Sequence, residues 1–123
     1  MLAAVNQTRA TGTSCPGGGG GQVVPALTYD ATLEPGAREY AWEAAHQNWT
    51  PNGGCNGRTA LDRITEVGAT SIWKTFGATS PQDSIAMLVA FMPACTEIMS
   101  ASNTAFAAAG AHDLITSHAI VLR

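Results

Sequence analysis

The chain has 123 residues, 46% of them hydrophobic and 12% charged, with a formal net charge of −3 at pH 7. That length gives one domain, 1–123, with a single core, and an acidic chain without a Lys/Arg cluster is not built to hold nucleic acid. No apolar run reaches transmembrane length. Residues 1–10 lack the basic start and apolar middle of a signal peptide, so a secreted form would be the mature protein or an excised domain.

Residues 1–11 are predicted to form a short helix with Leu2, Val5 and Arg9 on neighbouring turns. Residues 12–22 hold five successive glycines and little else to pack. The run lacks the following Lys-Ser/Thr of a phosphate loop, so it reads as a flexible connection held at Cys15. Residues 23–29 are extended around Pro25 and end at Asp30, an N-cap for a helix over about 31–48. Its inward side carries Leu33, Ala37, Ala41, Ala44 and Ala45, and Pro35 and Gly36 loosen its first turns. Trp42 and Trp49 read as packing residues. The stretch 50–57, TPNGGCNG, is a turn-rich loop.

Thr59 caps a second helix with Asp62 at its third position, Leu61 and Ile64 inward and Gly68 as its stop. Residues 69–79, with Ile72, Trp73 and Phe76, read as a partly buried irregular segment or short strand. Ser80 caps the next helix, Pro81 takes its first position, and Ile85, Leu88, Val89 and Met92 fall on its core face. Pro93 stops that helix and Cys95 follows in a turn. Residues 106–112 and 117–122 form two strands joined by a turn near 113–116. The fold class is therefore α+β, a sandwich of helices around a small sheet.

Chemistry-bearing residues are sparse. Three cysteines, Cys15, Cys55 and Cys95, permit at most one internal pair, and sequence alone does not choose it. His46, near a helix end, reads as a solvated or capping residue. His112 and His118 flank the final turn, but no Cys or acid stands at ligand spacing from them. There is no GxSxG elbow. Cys55, in GGCNG, is the best lone nucleophile and reads instead as a loop thiol or intermolecular link. Glu97 and Asp113 are single carboxylates without a sequence partner. Of two Asn-X-Thr sequons, Asn6 sits in a packing helix, and Asn48 precedes a loop and is the better glycosylation site.

Ordered along the chain are VNQTRA at 5–10, Cys15 before a glycine loop, PALTYDATLEPGA at 25–37, LDRITEVGA at 61–69, CTEIMSASNTAFAAAGA at 95–111 and HAIVLR at 118–123. In this order they resemble the CAP superfamily, the SCP-like domain of cysteine-rich secretory proteins, antigen 5 and pathogenesis-related group-one proteins, in its bacterial-type branch. The resemblance implies a three-layer α-β-α sandwich with a small antiparallel sheet. It implies a Cys15–Cys95 disulfide, with Cys55 free or available for an intermolecular bond. It also implies a cleft of two histidines and two glutamates for a divalent metal, and here the transfer fails. The histidine positions hold Asn52 and Ala94, the Gly-Glu-Asn region reads Ser71-Ile72-Trp73-Lys74, and no glutamate lies between Glu66 and Glu97. The cleft is degenerate at Asn52, Trp73, Lys74 and Ala94.

The expected protein is a non-catalytic, secreted or extracellular CAP-like binding or structural module without a cofactor, packing in a larger assembly or on a protein partner. Charge at about half the usual quarter suits a surface covered by other subunits, although a small Ala- and Gly-rich domain can simply be bland. One alternative is a carrier of a lipid, sterol or small apolar ligand, with Ile72, Trp73, Phe76, Met87 and Met92 lining a groove. The other is a hydrolase with an unrecognised site.

Overall fold

The computed structural model describes residues 1–47, 58–113 and 115–123. Helix α1 (Leu2–Ala10) leads through the glycine loop to the two-residue strand β1 (Thr28–Tyr29). Asp30 then caps a 3-10 turn (Ala31–Leu33), its Oδ1 accepting from the Thr32 N–H at 2.9 Å, and α2 (Glu34–Gln47) continues from it. Next come α3 (Ala60–Val67), β2 (Ser71–Phe76), α4 (Pro81–Val89) and α5 (Met92–Ile98), and finally the hairpin β3 (Ala105–His112) and β4 (Thr116–Leu122).

Local chemistry sets most of these boundaries. Thr59 and Asp62 form a reciprocal capping box at the start of α3, and Gly68 ends that helix in the left-handed conformation at φ 68°. Ser80 Oγ accepts from the Asp83 N–H at 3.0 Å to start α4.

The sheet runs β1-β3-β4-β2. β4 pairs antiparallel with β3 (Ala108↔Ile120) and with β2 (Trp73↔Ile120). β1 joins β3 in parallel, Tyr29 beside Phe106, so the sheet is mixed where a purely antiparallel one was expected. Alternation splits its two faces. Phe106, Ile120 and Leu122 pack with Val5, Ile85, Leu88 and Ile98 of α1, α4 and α5. Ala105, Ala107, Ala119, Val121 and Ile72 pack on Leu33, Ala37 and Ala41 at the start of and along α2. Because both faces are covered, the hairpin strands are apolar on both sides, and the α-β-α layering follows.

Two fasteners tie the N-terminal segment to the far end of the chain. Cys15 and Cys95, 80 residues apart, are joined by a disulfide with a Cα separation of 5.6 Å. Arg9 is 1% exposed and donates to four carbonyls: Pro25 at 2.6 Å, Ile98 at 2.5 Å, Ser100 at 3.0 Å and Asn103 at 3.2 Å. Among the described residues its hydrogen-bond partners are carbonyls rather than carboxylates, and burial lowers its pKa.

Four local expectations are corrected. Pro93 does not simply stop a helix. α4 ends at Val89, and Pro93 sits in the first turn of α5, where a missing N–H costs nothing, so Cys95 is helical. Met92 consequently leaves the core face and is 50% exposed. Leu61 faces solvent at 66% exposure, and the residue that α3 buries is Arg63. Trp42 is 55% exposed rather than a packing residue.

Candidate functional site

Strand alternation decides where the expected cleft positions point. Trp73 points towards α4 and α5, where it meets the ring of Phe91 edge-on at 6.0 Å, and Ala94 lies fully buried in the same cluster. Lys74, the next residue on β2, points to the opposite face, towards α2. Lys74 is therefore not brought together with Trp73 and Ala94. Asn52, Cys55 and Asn48 lie outside the described residues, as does Trp49. Among the described residues no three His, Cys, Asp or Glu side chains cluster to hold a metal.

Lys74 occupies an electrostatic environment that sequence reasoning missed. Its Nζ lies 4.2 Å from the centroid of Tyr40 and 5.5 Å from that of Phe76, and the Arg63 guanidinium lies 5.2 Å from the same Tyr40 ring. Arg63 is ion-paired with Glu43, both buried, and also donates to the carbonyls of Arg58 and Thr59 at 3.0 Å. Burial first, and the Arg63 charge second, lower the Lys74 pKa to about 8 against the opposing pull of Glu43. The only forward signal was an isolated lysine within an apolar strand.

On the other face of the sheet is a cavity of about 450 Å³ between the start of α1, β1, the start of α4 and the hairpin. Leu2, Tyr29, Pro81, Phe106, Ala108 and His118 are among its walls. Small residues make the hollow: Ala108 and Gly110 leave space beside the larger Phe106. A Cβ at Gly110 would lie 2.9 Å from Cδ2 of His118, so glycine is what lets the imidazole lie across the strand pair. His118 Nδ1 is buried without a hydrogen-bond partner among the described residues, and burial lowers the ring's pKa. Burial thus disfavours the protonated ring, in a mainly apolar hollow.

The remaining candidates fall elsewhere. His112 Nδ1 and Thr116 Oγ1 are 2.8 Å apart at the hairpin end, so that histidine has a local partner. His46 is solvated as expected, but its Nδ1 lies 2.8 Å from Asp113 Oδ2 and its ring stacks on Trp42 at 5.0 Å. Asp113 thus has a partner, 67 residues away, and Glu97 accepts from Asn103 Nδ2 at 3.2 Å. The expected groove does not form as one surface, because Ile72 faces α2 while Trp73 faces α4. Met87, Phe91 and Met92 instead stand exposed on the α4–α5 corner.

No protein-family model matches the sequence, and no curated relative does. A solved structure does match in three dimensions: an extracellular protein containing a SCP domain from Bacillus anthracis str. Ames, with a TM-score of 0.57 and 10% identity. The match covers 81% of this chain. The fold is an SCP fold. This chain spans 34% of that protein's length, and at such low identity the likeness concerns the fold alone.

Proposed function

We propose that this chain is an extracellular SCP-fold module of the bacterial-type CAP branch that binds a ligand without transforming it, having lost the cleft's metal-ligating residues. The observation that carries the reading is the cavity under α1. It is an open, mainly apolar hollow between α1, β1, α4 and the hairpin, and it offers a half-buried imidazole rather than an acid–base or nucleophilic set. Its volume suits a small apolar molecule with a polar end, such as a lipid fragment. The Cys15–Cys95 disulfide suits an oxidising compartment, and the SCP-fold neighbour is described as extracellular.

Two measurements test this. Denaturing mass spectrometry of natively purified protein should release a bound apolar compound, and a fluorescent fatty-acid probe should bind the emptied protein. Ala108→Trp, which fills the hollow, should weaken probe binding at least tenfold while the far-UV circular dichroism is unchanged. Absence of binding to the wild type, or equal binding by the filled variant, overturns the reading.

A protein partner is the second reading, favoured by the exposed Met87, Phe91 and Met92 beside the disulfide. Light scattering behind size-exclusion chromatography tests it in its self-assembly form. A strictly monomeric species, with and without reductant, counts against self-association.

A further inference from the structure

We propose that the outer edge of β3 is a pairing surface for a second copy of this chain, which lays its own β3 antiparallel across Gly110. β1 covers that edge only at Ala105 and Phe106, and the last rung is the Asp30 N–H donated to Phe106 O at 2.9 Å. Beyond it β3 runs on to His112 with β4 on its other side. The ladder fixes where the remaining groups point. Ala105 and Arg123 exchange both bonds, at 2.8 and 3.0 Å, so alternation commits the N–H and C=O of Ala107, Ala109 and Ala111 to β4. Those of Ala108, Gly110 and His112 point away from β4, and among the described residues they have no backbone partner. Gly110 and His112 are exposed, and Ala108 is half-buried.

Sheet edges are ordinarily blunted by a charge, a proline or a bulge. Residues 107–111 read AAAGA, without charge or proline, and their pairing with β4 runs unbroken from Phe106↔Leu122 to His112↔Thr116, without a bulge. Asp113, the next residue along, is held by His46 on α2.

The spacing of the free groups selects a second copy. A twofold axis through Gly110 sets it against the partner's Gly110, and sets Ala108 against the partner's His112. Every free N–H then meets a free C=O. An axis at Ala108 is closed by β1, which already occupies Phe106. An axis at His112 faces imidazole with imidazole and leaves Ala108 unanswered. Glycine at the axis lets the two backbones approach without side chains, and the small Ala108 leaves room for the larger His112. Such a contact is isologous, so it closes as a dimer and does not propagate. It uses a different surface from the α4–α5 corner and does not depend on a ligand in the cavity.

A pairing this narrow buries less than a standard interface of about 1,600 Å², so it forms at high protein concentration. Cys55→Ser protein, which excludes an intermolecular disulfide through that thiol, is compared at about 0.02 and about 1 mM by sedimentation equilibrium and NMR amide exchange. The average mass should rise towards twice the monomer's. The amides of Ala108, Gly110 and His112 should exchange freely in dilute protein and about threefold more slowly in concentrated protein, while those of Ala107, Ala109 and Ala111 are protected by β4 at both. His112→Pro removes an outward N–H and no β4 rung, and should weaken the dimer at least about tenfold with unchanged far-UV circular dichroism. If that variant loses its fold, the exchange pattern of the parent protein decides alone. A monomer at about 1 mM, a dimer whose slowed amides lie elsewhere, as at 87–92, or a folded His112→Pro protein that dimerises equally well overturns the proposal.

Discussion

Replacing Arg9 by Met isolates the cost of losing the guanidinium fastener. Met keeps much of the aliphatic volume but removes every donor. All four carbonyls lose the guanidinium donor, but Ser100 O retains the Asn103 N–H at 3.3 Å, so those of Pro25, Ile98 and Asn103 are the three left stranded among the described residues. At about 1–1.5 kcal/mol for each stranded acceptor the loss is about 3–4 kcal/mol. The variant no longer buries a charge, which returns part of this and leaves about 3 kcal/mol. With unfolding entropy near 2.1 cal/mol/K per residue, the melting temperature falls by about 12 °C. Arg9→Lys separates geometry from charge. A single ammonium keeps the desolvation cost but does not span carbonyls from three segments, so Lys should be no better than Met. Urea denaturation followed by far-UV circular dichroism reads both. A Met variant within 1 kcal/mol of wild type, or a Lys variant restored to wild-type stability, would refute the reasoning.

Three further outcomes follow from the same geometry. Cys15→Ala/Cys95→Ala should lose about 4.5 kcal/mol in the chain-entropy account of an 80-residue separation, measured by urea denaturation against the oxidised wild type. Thr59→Ala opens the capping box and should cost about 1 kcal/mol, with helix content falling only slightly in the same assay. Lys74 has its folded pKa lowered from 10.5 to about 8, so between those values the unfolded chain binds more protons and stability rises with pH. Its penalty is complete below about pH 8 and relieved as the pH climbs towards 10.5. Lys74→Gln should flatten this rise in urea midpoints measured between pH 8 and 10.

Features decided within a few residues were legible in advance. The caps at Asp30, Thr59 and Ser80, the glycine stop at 68 and the alanine face of α2 all depend on local chemistry, and each stands where its residues imply. What failed depends on distant partners. Leu61 looks like the inward residue of α3, yet Arg63 is drawn inside because Glu43 on α2 waits there. Proline signals both an end and a beginning, and at Pro93 the second meaning prevails because α5 starts two residues after the cap of α4. The parallel pairing of β1 spans Thr28 to Ala105 and leaves no local trace. The cavity was hidden for a different reason. It is made by side chains that are absent, at Ala108 and Gly110, and small residues in a strand do not announce whether a neighbour fills the space.

The clustering of long-range ties in the first thirty residues also bears on the order of folding. α1 needs carbonyls from Ile98 to Asn103, Cys15 needs Cys95, and β1 needs Ala105 and Phe106. Residues 9–29 have their docking sites at 95–106, so they stay undocked until that later stretch is free to collapse. High contact order of this kind slows folding. During synthesis α1, Cys15 and β1 therefore wait for residues 95–106 to emerge before they can dock.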